Sequence, residues 1–109
     1  MKRGEIWTVA AGAGYAGKPR PAIIVQSDLF DLTASVTICP LTRTDAPLSF
    51  VRFLIAPTQK NGLLVDSFAM VDKIVTVQTT KLGYRIGRLD DRDVPRLNQA
   101  VATFLGLAD

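Results

Sequence analysis

The sequence contains no histidine and only one cysteine, Cys39. Without an imidazole the chain cannot build a Ser-His-Asp triad or a histidine-based ribonuclease site. One cysteine cannot form an intrachain disulfide, and it leaves too few thiolate or imidazole ligands for zinc. We therefore expect a reduced, cytoplasmic protein without a metal or a cofactor, in which Cys39 is a small buried residue.

Long apolar runs and phosphate-binding loops are also missing. No segment approaches the roughly 20 apolar residues of a membrane-spanning helix, and Glu5 interrupts the basic N-terminal segment that would otherwise resemble a signal peptide. The stretch "GAGYAGK" at 12–18 lacks the glycine and lysine spacing of a P-loop. These absences argue against a membrane partner and against P-loop nucleotide hydrolysis.

The composition fits one compact domain spanning residues 1–109. Hydrophobic residues make up 48% of the chain, which is enough for one core. The formal net charge is +3, a mild excess that favours a polyanionic partner such as nucleic acid.

Short β-branched runs separated by turn residues predict a mainly β protein. The predicted strands cover 5–10, 22–26, 36–41, 50–55, 67–77 as one long or two short strands, and 85–89. Because proline lacks an N–H, Pro21 can begin the second strand but not lie inside it, and the third strand should end near Pro40. Residues 27–34 read as a turn or short helical excursion.

A change to helical periodicity marks the C-terminal segment. Apolar residues at 94, 97, 101, 104 and 105 share one helical stripe. Pro95 is tolerated only in the first turn, so the helix should begin near 91–93, and Gly106 should end it. The residues alone thus predict a small, strongly curved antiparallel sheet closed or plugged by one C-terminal helix.

Arg20 is the strongest candidate for a catalytic residue. It lies between Pro19 and Pro21 at the start of the apolar run "AIIV", so two fixed φ angles stiffen its backbone. A planar guanidinium that keeps its proton suits a pair of phosphate oxygens. The alternative is an ordinary arginine in a rigid turn that pairs with a carboxylate.

Five other residues are weaker candidates. The Thr42 hydroxyl at a strand end could donate to a phosphoryl oxygen or satisfy local backbone groups, and Tyr15 could stack on a base or anchor its loop. Asp72, within the apolar run "AMVDKIV", should be paired, with Arg20 or Arg52, or functional. Lys18 and Arg43 adjoin these positions and complete the candidate binding set.

The chain resembles the MazF/PemK toxins of bacterial toxin–antitoxin systems. The resemblance rests on "KRGEIWTV", "GKPRPAIIVQSD", "VTICPLT" and "NGLLVDSFAMVDKIVTVQTTKL", in that order, and covers almost the whole chain. It implies a small SH3-like barrel of strongly curved antiparallel strands with a C-terminal α-helix, as in CcdB, Kid and MazF. It further implies a homodimeric, metal-independent endoribonuclease that cuts single-stranded RNA, usually mRNA, at short motifs.

The same resemblance implies roles for individual residues and a partner. The catalytic arginine of the family falls on Arg20 and the catalytic threonine on Thr42, with 2′,3′-cyclic phosphate and 5′-hydroxyl products. A cognate antitoxin with an acidic tail would block the RNA groove. Met70 and Val75 stand where relatives carry basic residues, which leaves sequence preference and strength of activity open. An alternative is a non-catalytic toxin of this fold that inhibits a protein such as DNA gyrase.

Overall fold

The computed structural model describes residues 1–10, 18–44 and 51–108. Seven strands and one α-helix are formed by these residues. The strands are β1 (Glu5–Val9), β2 (Arg20–Ile24), β3 (Ser35–Thr42), β4 (Arg52–Ile55), β5 (Ser67–Met70), β6 (Val75–Gln78) and β7 (Leu82–Arg88), and the helix is α1 (Val94–Phe104). One-turn 3₁₀ segments at 28–30, 71–73 and 79–81 join neighbouring elements.

All strand pairs are antiparallel, and β3 is the central strand. The hydrogen-bonded order is β4-β5-β3-β2-β1-β7, while β6 pairs with the first half of β3 beside β5. Within the part of the chain that the structure describes, β4 and β7 are not hydrogen-bonded to each other, so the curved sheet stays open. The predicted mainly β fold with a C-terminal helix is confirmed.

Of the two proline predictions, the one for Pro21 was wrong, and the end of the third strand near Pro40 is confirmed. Pro21 lies inside β2, facing Thr8 of β1, because the pairing of β2 with β3 begins only at the next residue. β3 ends at Thr42, two residues after Pro40, which lies at the gap where that strand changes its neighbour from β6 to β5. In both places the missing N–H coincides with a break in the ladder, so little hydrogen bonding is lost.

The two faces of the sheet carry separate apolar clusters. The main core packs the sheet against α1, through residues that include Ile6, Ile23, Cys39 and Leu97. The second cluster lies on the opposite face and consists of Val9, Ala22, Ile24, Val36 and Ile38, with Met1, Trp7, Val77 and Leu82 packed against it. The predicted burial of Cys39 is confirmed, and burial raises the pKa of its thiol to about 12.

The helix begins and ends as its sequence predicts. Pro95 occupies the first turn after Asp93, and Gly106 adopts φ +77° just past the end. The N–H of Gly106 donates to the Thr103 carbonyl and that of Leu107 to the Ala102 carbonyl, which together form a Schellman motif. None of the helices in the described ranges is long and apolar enough to span a bilayer.

Candidate active site

Strands β2 and β3 bring Arg20 and Thr42 to the same end of the sheet. Ala22 of β2 faces Pro40 of β3 as the last pair between these strands, and Arg20 and Thr42 each lie two residues beyond that pair. Because side chains alternate along a strand, both residues share the face of Ala22 and of the second cluster. The two principal candidates, separated in sequence, therefore come together at one end of that cluster.

Arg20 emerges from a backbone that is fixed on both sides. It is the first residue of β2, its Cα partner in β1 is Val9, and Pro19 and Pro21 flank it. Lys18, Pro19 and Arg20 are all exposed. The guanidinium is thus carried by an ordered strand end at the protein surface, where a large anionic substrate could reach it.

Thr42 is the last residue of β3 and is half-buried. Its Oγ1 accepts a hydrogen bond from the N–H of Thr44 at 3.2 Å. This contact orients the hydroxyl, and accepting one bond leaves its own proton available for donation. The local backbone role expected from the sequence is therefore present and is compatible with a role toward substrate.

Asp72 pairs with Arg52, one of its two expected partners. The Arg52 Nε and Nη2 groups donate to Oδ1 and Oδ2 of Asp72, each at 3.0 Å. Both side chains are largely buried, at 15% and 18% exposed. The hydrogen bonds from Arg52 lower the pKa of Asp72, so the carboxylate is ionised at neutral pH and is a weak base.

This pair gives a testable pH dependence of stability. Because the pKa of folded Asp72 lies below its unfolded value, the pair stabilises the fold above the unfolded pKa of about 4, and this contribution is lost as pH falls through the lowered pKa. We expect the stability advantage of wild type over Asp72→Asn to shrink as pH is lowered from 6 to 3, as measured by urea unfolding. An advantage that is the same at both pH values would contradict the assignment.

The positions of the remaining candidates, Lys18, Arg43 and Tyr15, are less closely defined. Lys18 and Arg43 are exposed just outside the ends of β2 and β3. Tyr15 lies outside the described residues.

The sequence analysis did not single out Lys81, which β7 brings to the same end of the sheet as Arg20 and Thr42. Its positive charge was the only signal available in the sequence. Within the described ranges, no three carboxylate or thiol groups are grouped to hold a metal ion.

Comparison with known proteins identifies the family. Residues 2–105 match the model of the PemK-like, MazF-like toxin of type II toxin–antitoxin systems. The chain belongs to this family. It is 46% identical over 108 residues to the probable endoribonuclease MazF of Mycolicibacterium smegmatis, with 99% of each protein covered.

More distant relatives agree. The chain is 32% identical over 116 residues to endoribonuclease MazF9 of Mycobacterium tuberculosis, with 98% of each protein covered. A mycobacterial endoribonuclease solved in complex with its cognate antitoxin superposes with a TM-score of 0.82 at 25% identity, covering 100% of this chain and 98% of that one. The membership inferred from the sequence motifs is confirmed.

Proposed function

We propose that this protein is the toxin of a toxin–antitoxin pair and acts as a sequence-specific, metal-independent endoribonuclease on single-stranded RNA, chiefly mRNA, in the cytoplasm. The observation that supports the proposal is that Arg20 and Thr42 each lie two residues beyond the Ala22–Pro40 pair, at the same end of the sheet, with Arg20 exposed. Relatives that share nearly the full length of the chain are named endoribonucleases.

The proposed reaction is attack of a ribose 2′-OH on the adjacent phosphorus. The new P–O bond closes a 2′,3′-cyclic phosphate and the bond to the 5′-oxygen breaks. The proton of the 2′-OH passes to solvent water, and the departing 5′-oxygen takes up a proton from water to become the 5′-hydroxyl. Arg20 supplies paired donors to the non-bridging oxygens, whose negative charge grows in the transition state. Thr42 donates to the same phosphate and fixes its orientation.

Asp72 is poorly suited to taking the 2′-OH proton. Both of its carboxylate oxygens are engaged by Arg52, which also makes the group a weaker base. In the proposed scheme, alignment of the 2′-OH and charge stabilisation by Arg20 supply most of the rate. Lys18, Arg43 and Asp72 stay proposed substrate contacts, together with Tyr15.

The proposed partners are a second copy of the chain and a cognate antitoxin. The solved mycobacterial relative is in complex with its own antitoxin. In the present chain an acidic antitoxin tail would compete with RNA for the exposed cations around Arg20, because both ligands are polyanionic.

The test is to incubate the purified protein with a long unstructured RNA and map the fragments by primer extension. We expect discrete cuts at a recurring short motif, with cyclic phosphate and 5′-hydroxyl ends, and the same cuts when EDTA is present in excess. Loss of cutting with EDTA would overturn metal independence. Intact RNA together with inhibited DNA gyrase would replace the proposal by the non-catalytic alternative.

A further inference from the structure

Lys81 lies at the same end of the sheet as Arg20, although the two are far apart in sequence. Val9 of β1 faces Arg20 on one side and Leu82 of β7 on the other. The N–H of Ala10 donates to the Lys81 carbonyl at 2.8 Å, which fixes Lys81 one residue beyond that row. With strands about 4.8 Å apart and β1 between them, the backbones of Lys81 and Arg20 are about 10 Å apart.

Four cationic residues collect at this end of the sheet. Lys18 precedes Arg20 by two residues, Arg43 directly follows Thr42, and Lys81 precedes β7. Lys18, Arg20, Arg43 and Lys81 are all exposed. Like charges held together disfavour the folded state, and an anionic ligand that spans them relieves the repulsion.

Several other cations, by contrast, have a carboxylate partner. Arg52, Lys60 and Arg96 each have a nitrogen within 3.2 Å of a carboxylate oxygen. Among residues 1–10, 18–44 and 51–108, no carboxylate oxygen lies within 4.0 Å of a side-chain nitrogen of Lys18, Arg43 or Lys81. Lys18, Arg43 and Lys81 are thus available to an anionic ligand at this end of the sheet.

We propose that Lys81 binds a phosphate that flanks the scissile one, and so extends the RNA site from β2 and β3 across β1 to β7. This inference rests on the proposed function and adds a residue to that site. A lysine acts as a compact point charge on a flexible stem, which suits a backbone phosphate whose orientation need not be fixed. Lys81 holds the RNA strand in the site, while Arg20 and Thr42 act on the reacting phosphate.

These separate roles predict that loss of the Lys81 contact affects KM and kcat differently. A flanking phosphate carries the same charge in the ground state and in the transition state, so losing its contact should raise KM and leave kcat unchanged. Each phosphate neutralised on a single strand contributes about 0.7 to the magnitude of the slope of log K against log salt. Removal of the Lys81 charge should therefore lower that slope by about 0.7.

The experiment compares Lys81→Gln with Arg88→Gln. Arg88 is an exposed cation at the opposite end of β7, roughly 20 Å along the strand and beyond a Debye length of about 10 Å. Binding is measured against a fully 2′-O-methylated copy of the test RNA, which has no hydroxyl to attack, at several salt concentrations. Cleavage of the unmodified RNA gives kcat and KM.

We expect Lys81→Gln to weaken binding and raise KM by about three- to tenfold at low salt, with kcat unchanged and the salt slope reduced by about 0.7. Arg88→Gln should behave as wild type, and Lys81→Arg should restore the slope. Equal slopes for Lys81→Gln and Arg88→Gln, or a fall in kcat with KM unchanged, would overturn the inference. Wild type that binds RNA without cutting it would refute the nuclease proposal alone, since the slopes still decide the role of Lys81.

Discussion

Replacing Arg20 by alanine is expected to lower the rate of RNA cleavage by about 10²–10³-fold. That is the usual effect of removing one pre-placed donor from a site where negative charge develops in the transition state. The measurement is single-turnover cleavage of a mapped RNA site at saturating protein, so that weaker binding does not mask the chemical step. Arg20→Lys should also be slow, because it keeps a charge but loses the planar pair of donors.

The alanine variant should keep its fold. Arg20 is exposed at the first position of β2, whereas the apolar packing of that strand comes from Ala22, Ile23 and Ile24, all buried. Thermal unfolding followed by circular dichroism should therefore stay close to wild type. A folded variant that cleaves at the wild-type rate would remove Arg20 from the mechanism, and the proposed chemistry with it.

The elements that follow from local sequence rules were predictable. The helix was anticipated because Pro95 restricts its start and Gly106 permits the left-handed residue that ends it. The place of Pro21 inside β2 was not anticipated, because a single strand does not reveal where its neighbours begin and end. Pro40 is tolerated only since β6 and β5 meet along one edge of β3, and that is a property of the assembled sheet.

The residues of the candidate site also divide into those that the local sequence predicts and those whose role depends on the fold. Arg20 was conspicuous because its flanking prolines make the backbone stiff, whatever the tertiary structure. The partner of Asp72 was limited to two arginines by the cost of burying a lone carboxylate, and the choice of Arg52 needed the fold. Lys81 gave no local signal, because its proximity to Arg20 depends on an irregular register between β1 and β7.

Replacing Asn61 by alanine is expected to destabilise the protein by about 3 kcal/mol. Asn61 is fully buried, and its Oδ1 accepts hydrogen bonds from the N–H groups of Thr58 at 2.9 Å and Leu63 at 3.0 Å. Its Nδ2 donates to the Ala56 carbonyl at 2.9 Å. Alanine leaves two backbone donors and one acceptor without these partners, and each group left unsatisfied in the interior costs about 1–3 kcal/mol.

The loop that Asn61 holds also supports β7. The N–H of Arg88 donates to the Lys60 carbonyl at 2.9 Å, and a Cβ at Gly87 would lie 2.5 Å from the Asn61 carbonyl carbon, so loop and strand are in close contact. Urea unfolding should show the loss for Asn61→Ala, while Asn98→Ala, at an exposed position on α1, should stay within about 0.7 kcal/mol of wild type. Equal urea midpoints for the two variants would mean that the hydrogen-bonding groups of the loop find other partners.

Because Arg20 and Thr42 lie on β2 and β3, the folded fraction of Asn61→Ala should still cleave RNA at the wild-type rate. This result would separate loss of stability from loss of chemistry.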